Sequence, residues 1–196
     1  SFSSGDIHTP GDRPDVLVAM NPAALKVNLG DLVPGGGIIV NTDAFNDINL
    51  KKAGYGVDPL HDGSLKGYNL FEIPMSTMVA GACEGLGLSS KQVELTKNFF
   101  ALGVMFWLYE RSMAATEKWI TEKFAGKDAI AEANKRALNA TQDKAGGAAA
   151  RACRSVSELA LLWRAGELGH RHRAFVQLES ASTFGDFSRI DQHVAT

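Results

Sequence analysis

Two short apolar runs, 15–20 (DVLVAM) and 37–41 (GIIVN), constrain the fold more than any other feature of the sequence. Neither run alternates between apolar and polar residues, which is typical of strands that a parallel sheet buries on both faces. Between them, Asn21 can cap a helix that begins at Pro22 and is predicted to reach Val27. Because strand, helix and strand follow in this order, the sequence predicts an α/β fold built on a parallel sheet flanked by helices.

A polar segment rich in Gly, Asn and Asp follows the second strand. This composition over 43–66 is typical of a structured loop, in which we predict at most a short helix at 47–53. A third strand is predicted at 68–73, and it ends at Pro74. The predicted sheet therefore contains three strands.

A capping box marks the start of a long helix, because the side chains of Ser89 and Gln92 can each accept the other residue's backbone N–H. We predict that this helix runs to about residue 110. Its second half (FFALGVMFWLY) is apolar on every face, which favours a helix buried within the protein or between subunits. Two further helices are predicted over 113–124 and 128–140, the second on the outside of the domain.

The composition changes after residue 140. Lysine supplies most of the positive charge before that point, and arginine supplies nearly all of it afterwards. We therefore divide the chain into a domain at 1–140 and a tail of unrelated composition at 141–196, which we expect to be poorly ordered or helical.

Charge and hydropathy exclude several classes of protein. A net charge of -2 and a pI of about 6.2 give no cationic field for a nucleic-acid backbone. No charge-free apolar run reaches the roughly 20 residues that a membrane span needs, and no secretory signal is recognisable. We expect a cytoplasmic protein with neither a nucleic-acid nor a membrane partner.

The sequence predicts no metal ligand and no catalytic residue. Its 2 cysteines, Cys83 and Cys153, cannot form a disulfide framework, a zinc site or a four-cysteine cluster. Cys83 is expected to behave as a small apolar residue. The 5 histidines lack the spacing of a metal site, and no nucleophile motif is present.

Polar residues at the ends of the first two strands are the candidate binding residues, because open parallel sheets bind ligands outside the carboxyl ends of their strands. They are Asn21, Asn41, Thr42 and Asp43, and Asn98 is a further candidate. Their predicted role is hydrogen bonding to a substrate or coenzyme. The alternative is that Asn21 caps its helix and Asn41 caps a turn.

Four stretches of the chain complete the sequence evidence: TPGDRPDVLVAMNPAALKVNLGDLVPGGGIIVNTDAF, NLKKAGYGVDPLHDGSLKGY, EIPM and KNFFALGVMFWLYER. Together, over 9–140, they resemble the gamma domain of the alpha subunit of 2-oxoacid:ferredoxin oxidoreductases, also described as the pyruvate/ketoisovalerate oxidoreductase catalytic domain. The 2-oxoglutarate type is the most similar.

The resemblance implies a Rossmann-like α/β module in an enzyme that converts 2-oxoglutarate and coenzyme A into succinyl-CoA and CO2 and passes the electrons to ferredoxin. In this family the gamma module packs at the thiamine and coenzyme A site. Thiamine diphosphate, Mg²⁺ and a 4Fe-4S cluster are expected in the partner beta subunit, and none is expected in this chain alone. The implied partners are the beta subunit, the rest of the alpha subunit and ferredoxin.

The resemblance also implies a strand and a glycine-rich turn ahead of residue 1, so we expect the domain to be incomplete at its start and inactive alone. After residue 140 the family continues into a linker that contains Gly-Glu-Thr and then into a large pyrimidine-type domain. The tail of this chain matches neither, and a frame shift or truncation would explain its composition. Two alternatives stay open. One is a Rossmann-fold methyltransferase, and the other is an interaction subunit without a ligand, for which the apolar helix would supply a partner surface.

Overall fold

A computed structural model describes residues 2–3, 13–109, 111–140 and 173–177 of the chain. Its centre is a parallel sheet of β2 (Val16–Ala19), β3 (Gly37–Asn41) and β4 (Asn69–Ile73). Two further strands, β1 (Phe2–Ser3) and β5 (Arg173–Gln177), extend the sheet beyond β2, in the order β1-β5-β2-β3-β4. β5 is parallel to β2, and β1 is antiparallel to β5. The predicted fold class is confirmed.

Both faces of the sheet are covered, which explains why its strands read as uninterrupted apolar runs. On one face, Leu17 and Ile38 pack with Leu25 of helix α1 (Pro22–Asn28) and with the loop after β3. On the other face, Val18 and Ile39 join a larger core formed with the later helices. Neighbouring residues of one strand thus enter different cores, as the pleat requires.

The larger core is built around helix α4 (Ser90–Leu108), which begins at the predicted capping box of Ser89 and Gln92. Helices α3 (Met75–Ala82) and α6 (Asp128–Asn139) pack against it, and α5 (Ala114–Lys123) contributes Ile120 to the same core. The second half of α4 is buried nearly throughout. Of the two predicted situations for this helix, burial within the chain is therefore the one observed.

Helices α4 and α6 lie so close together at Gly103 that their backbones are in contact. A Cβ atom built on Gly103 would lie 2.1 Å from the carbonyl oxygen of Leu138. Ala133, Ala137 and Leu138 form the buried side of α6. The small residues on both helices permit this close contact.

Helix α3 was absent from the sequence prediction, whereas helix α2 (Asp47–Lys52) lies where a short helix was predicted. The predicted tail at 141–196 lies outside the described residues except for the strand 173–177. Over the described parts of the chain, no helix has the length and hydropathy to cross a membrane.

Candidate functional site

The candidate binding residues of the first two strands lie at the carboxyl edge of the sheet. Because β2, β3 and β4 are parallel, the residues that follow them emerge at this same edge. Asn21 follows β2, while Asn41 ends β3 and leads into a 3-10 turn at Thr42–Ala44. Four of the five candidates therefore share one edge, as the sequence predicted.

Asn21 caps helix α1. Its side-chain oxygen accepts the N–H of Ala24 at 2.9 Å, and its backbone is extended, as an N-cap requires. Pro22 occupies the first helical position, where its missing N–H costs nothing. The capping interpretation of Asn21 is confirmed.

Asn41 is fully buried and links the end of β3 to the start of α3. Its side-chain oxygen accepts the N–H groups of Met75 at 3.0 Å and Ser76 at 3.4 Å. Its side-chain nitrogen donates to the hydroxyl oxygen of Ser76 at 3.2 Å. The interpretation that Asn41 caps its own turn is wrong, since its side chain makes no capping bond there and binds the following helix instead.

Asp43 completes this link from the exposed side. Its carboxylate accepts the N–H of Thr77 at 2.8 Å and the hydroxyl of Thr77 at 3.2 Å. The N-cap position of α3 is Pro74, which makes no side-chain cap bond. Asn41 and Asp43 therefore satisfy three N–H groups of the first turn from 34 or 35 residues upstream, and the carboxylate complements the helix dipole.

Thr42 and Asn98 differ in their surroundings. Thr42 is half-buried in the 3-10 turn, where its carbonyl accepts the N–H of Phe45 at 3.0 Å. Asn98 is buried in α4, beside Lys97, whose ammonium pairs with Glu94. The structure joins Asn41 and Asp43 through the first turn of α3 and places Asn98 on a separate element.

A cavity of about 160 Å³ lies beyond the end of β3, between α2 and the loop that follows it. Its apolar and aromatic lining comes from Phe45, Leu50, Tyr55 and Val57, and its charged and backbone lining from Asp47, Lys51, Gly56 and Asp58. The sequence analysis missed this cavity. The available signal was a pair of aromatic residues within a loop that is otherwise polar.

Lys26 of α1 fixes one wall of the cavity. Its ammonium donates to the carbonyl oxygens of Ala53 and Gly54, both at 2.9 Å, and lies 5.0 Å from the ring centroid of Tyr55. Burial raises the pKa of the Tyr55 hydroxyl, and the nearby carboxylate of Asp62 raises it further. The loop after α2 is thus held against α1 by the exposed ammonium of Lys26, which binds two backbone carbonyls and lies over the Tyr55 ring.

The remaining chemically notable side chains have structural explanations. Cys83 is buried in the larger core, and desolvation raises the pKa of its thiol, so its predicted role as a small apolar residue is confirmed. His61 is exposed, with its Nε2 3.9 Å from a carboxylate oxygen of Asp58. Among the described residues, no group of three His, Cys, Asp or Glu side chains is arranged to hold a metal ion.

Comparison with known proteins places the chain in a family. The family described as pyruvate ferredoxin/flavodoxin oxidoreductase matches residues 1–143. The 2-oxoglutarate oxidoreductase subunit KorA of Mycobacterium tuberculosis is 53% identical over 135 residues, which are 69% of this chain and 21% of that protein. The chain thus spans about a fifth of the length of this relative. The candidate edge and the cavity both fall within the matched segment.

Proposed function

Because the chain belongs to the pyruvate ferredoxin/flavodoxin oxidoreductase family, we propose that it forms part of a 2-oxoacid:ferredoxin oxidoreductase. The proposed reaction converts 2-oxoglutarate and coenzyme A into succinyl-CoA and CO2, with ferredoxin as the electron acceptor. The observation that carries the choice of substrate is the 53% identity to a 2-oxoglutarate oxidoreductase subunit.

Within that enzyme, the proposed role of this domain is to pack at the thiamine and coenzyme A site through the carboxyl edge of its sheet. Thr42 and Asp43 carry polar atoms at or near the surface of this edge, and Asn21 lies beside them on the neighbouring strand end. Asn41 and Asn98 are also proposed as residues of the substrate or coenzyme A site. Both are buried, so they would act mainly by holding α3 and α4 in place.

The cofactors are proposed to reside elsewhere in the assembly. A 4Fe-4S cluster takes four thiolates, and the chain has 2 cysteines. Of these, Cys83 lies in the apolar core and does not fit a cluster ligand. We therefore assign the cluster, thiamine diphosphate and Mg²⁺ to a beta subunit, which together with the rest of the alpha subunit is the proposed partner.

One observation bears on the alternative of an interaction subunit without a ligand. Its sequence support was the apolar helix at 99–109, which would need a partner surface if the domain could not enclose it. In the structure α4 is enclosed by α3, α6 and the sheet, so this support is lost. The oxidoreductase proposal is the one that the family match favours.

The test is co-purification with a beta subunit of the family, followed by viologen reduction with 2-oxoglutarate, coenzyme A and thiamine diphosphate. We expect a stable complex. Complex formation without turnover would mean that this chain is an interaction-competent but catalytically incomplete module. Turnover would mean that the segments outside it are dispensable, and the absence of any complex would contradict the proposal.

A further inference from the structure

The cavity beside α2 is too small for a cofactor. Its volume of about 160 Å³ lies below the roughly 300–1,000 Å³ of pockets that enclose drug-sized ligands. A nucleotide or coenzyme would not be enclosed, whereas one long side chain is of suitable size. We propose that this cavity is a docking site for an arginine side chain on the surface of a partner protein. The proposal does not depend on the oxidoreductase reaction.

The lining suits a guanidinium group. Phe45 and Tyr55 supply aromatic walls on which the planar cation can stack, and Asp47 and Asp58 supply carboxylates that can accept its N–H groups. Lys51 is the one ammonium of the lining, and it is exposed to solvent. With Asp62, which lies close enough to Tyr55 to raise its pKa, and the Lys26 ammonium over the same ring, three carboxylates stand against two cations.

The walls are fixed before any partner binds. Lys26 ties the backbone of Ala53 and Gly54 to α1 and covers one part of the Tyr55 ring. A side-chain oxygen of Asp58 accepts the N–H of Leu60 at 3.0 Å, which orients its carboxylate. Binding would therefore require little ordering of this loop, which favours affinity.

Exposed apolar residues beside the cavity indicate that the arginine belongs to a protein surface. The large apolar residues exposed most among the described ones are Val27 (77%), Ile48 (67%) and Val57 (65%). Val57 lines the cavity, and Ile48 lies next to Asp47 and one helical turn from Lys51. Arginine is enriched at protein interfaces, so a pocket that accepts it beside exposed apolar residues favours a protein partner.

Titration of the isotope-labelled chain with N-acetyl-arginine amide, followed by backbone amide NMR at low salt, tests the proposal. The matched probe is N-acetyl-citrulline amide, which has nearly the same shape and no charge. We expect saturable shifts at the amides of the cavity lining with the arginine probe alone, with a dissociation constant on the order of 1–10 mM.

Variants of the two lining carboxylates, Asp47 and Asp58, provide a second test. Asp47→Asn and Asp58→Asn keep a side-chain oxygen as an acceptor and should each weaken binding of the arginine probe by about two- to fivefold. Asp128→Asn, at the start of α6, is the control and should leave the titration unchanged. Equal shifts with citrulline, no shifts at the lining, or identical affinity in all variants would overturn the proposal.

Discussion

The side-chain oxygen of Asn41 lies 3.0 Å from the backbone nitrogen of Met75, 34 residues later in the chain. This contact, with its neighbour at Asp43, makes the end of one strand the N-cap of a helix that has no cap of its own. The candidate binding edge and the start of α3 are therefore one structure, and substitutions at the edge should be measured for stability as well as for activity.

Removal of the Asn41 amide should destabilise the domain strongly. Asn41→Ala leaves a buried N–H group at Met75 and a partly buried one at Ser76 without their acceptor, and an unsatisfied buried donor costs about 1–3 kcal/mol. We expect a loss of about 2–4 kcal/mol in the free energy of unfolding, measured by urea denaturation. Asn46→Ala, which removes the exposed cap of α2, is the control and should cost about 1 kcal/mol. Equal losses in the two variants would contradict the role given to burial.

Asp43 and Thr77 should be energetically coupled. Asp43→Ala removes both hydrogen bonds to Thr77 and the favourable charge at the helix start, for an expected loss of about 1 kcal/mol. Thr77→Val removes one of these bonds and keeps the backbone. A double-mutant cycle in the free energy of unfolding should give a coupling of about 0.5–1 kcal/mol, and strict additivity would rule out the hydroxyl contact.

Gly103 should not tolerate a side chain. Gly103→Ala places a Cβ atom 2.1 Å from the Leu138 carbonyl oxygen, so the two helices must separate. We expect a loss of at least about 2 kcal/mol in thermal or urea unfolding. Gly81→Ala is the matched control: it lies within α3 with nothing within 4 Å of its Cβ position. Because alanine favours helices, this variant should gain up to about 1 kcal/mol.

Stability should fall as the pH rises above about 9. Burial raises the pKa of Cys83 above its ordinary 9.0 and that of Tyr109 above its ordinary 10.0, with the Asp15 carboxylate adding to the second shift. The folded state then holds protons that the unfolded state has released, so unfolding becomes easier as the pH rises. Urea denaturation at pH 8, 9 and 10 should show this decline.

Tyr109→Phe tests the tyrosine's share of this decline, which begins as the pH approaches the phenol's ordinary pKa of 10.0. The loss of stability between pH 9 and 10 should be smaller in the variant than in the parent chain. An identical decline would show that other groups cause the pH dependence.

The sequence predicted those parts of the fold whose signals are local. The start of α4 depends on Ser89 and Gln92, which are three residues apart, and it was found where predicted. Helix α3 depends on Asn41 and Asp43, which lie far upstream, and Pro74 gives it no local start signal. A prediction based on neighbouring residues therefore could not find it.

The same difference applies to the candidate site. The carboxyl edge follows from the order of strands, so Asn21, Asn41, Thr42 and Asp43 could be placed on it. The hydrogen bonds of Asn41 could not be predicted, because they depend on where α3 lies in the fold. Likewise, the wall of the cavity depends on Lys26, whose contacts with Ala53 and Gly54 bridge 27 and 28 residues.

The contact of Gly103 with the backbone of Leu138 also sets where this domain can deform. Side-chain rotamers usually absorb small displacements between packed helices, but none is available where main chain meets main chain. A displacement of α6 would therefore move α4, and with it the sheet residues that pack in the same core. Adjustments during assembly would then be left to the opposite face of the sheet, where α1 meets the loop after α2 through the side chain of Lys26.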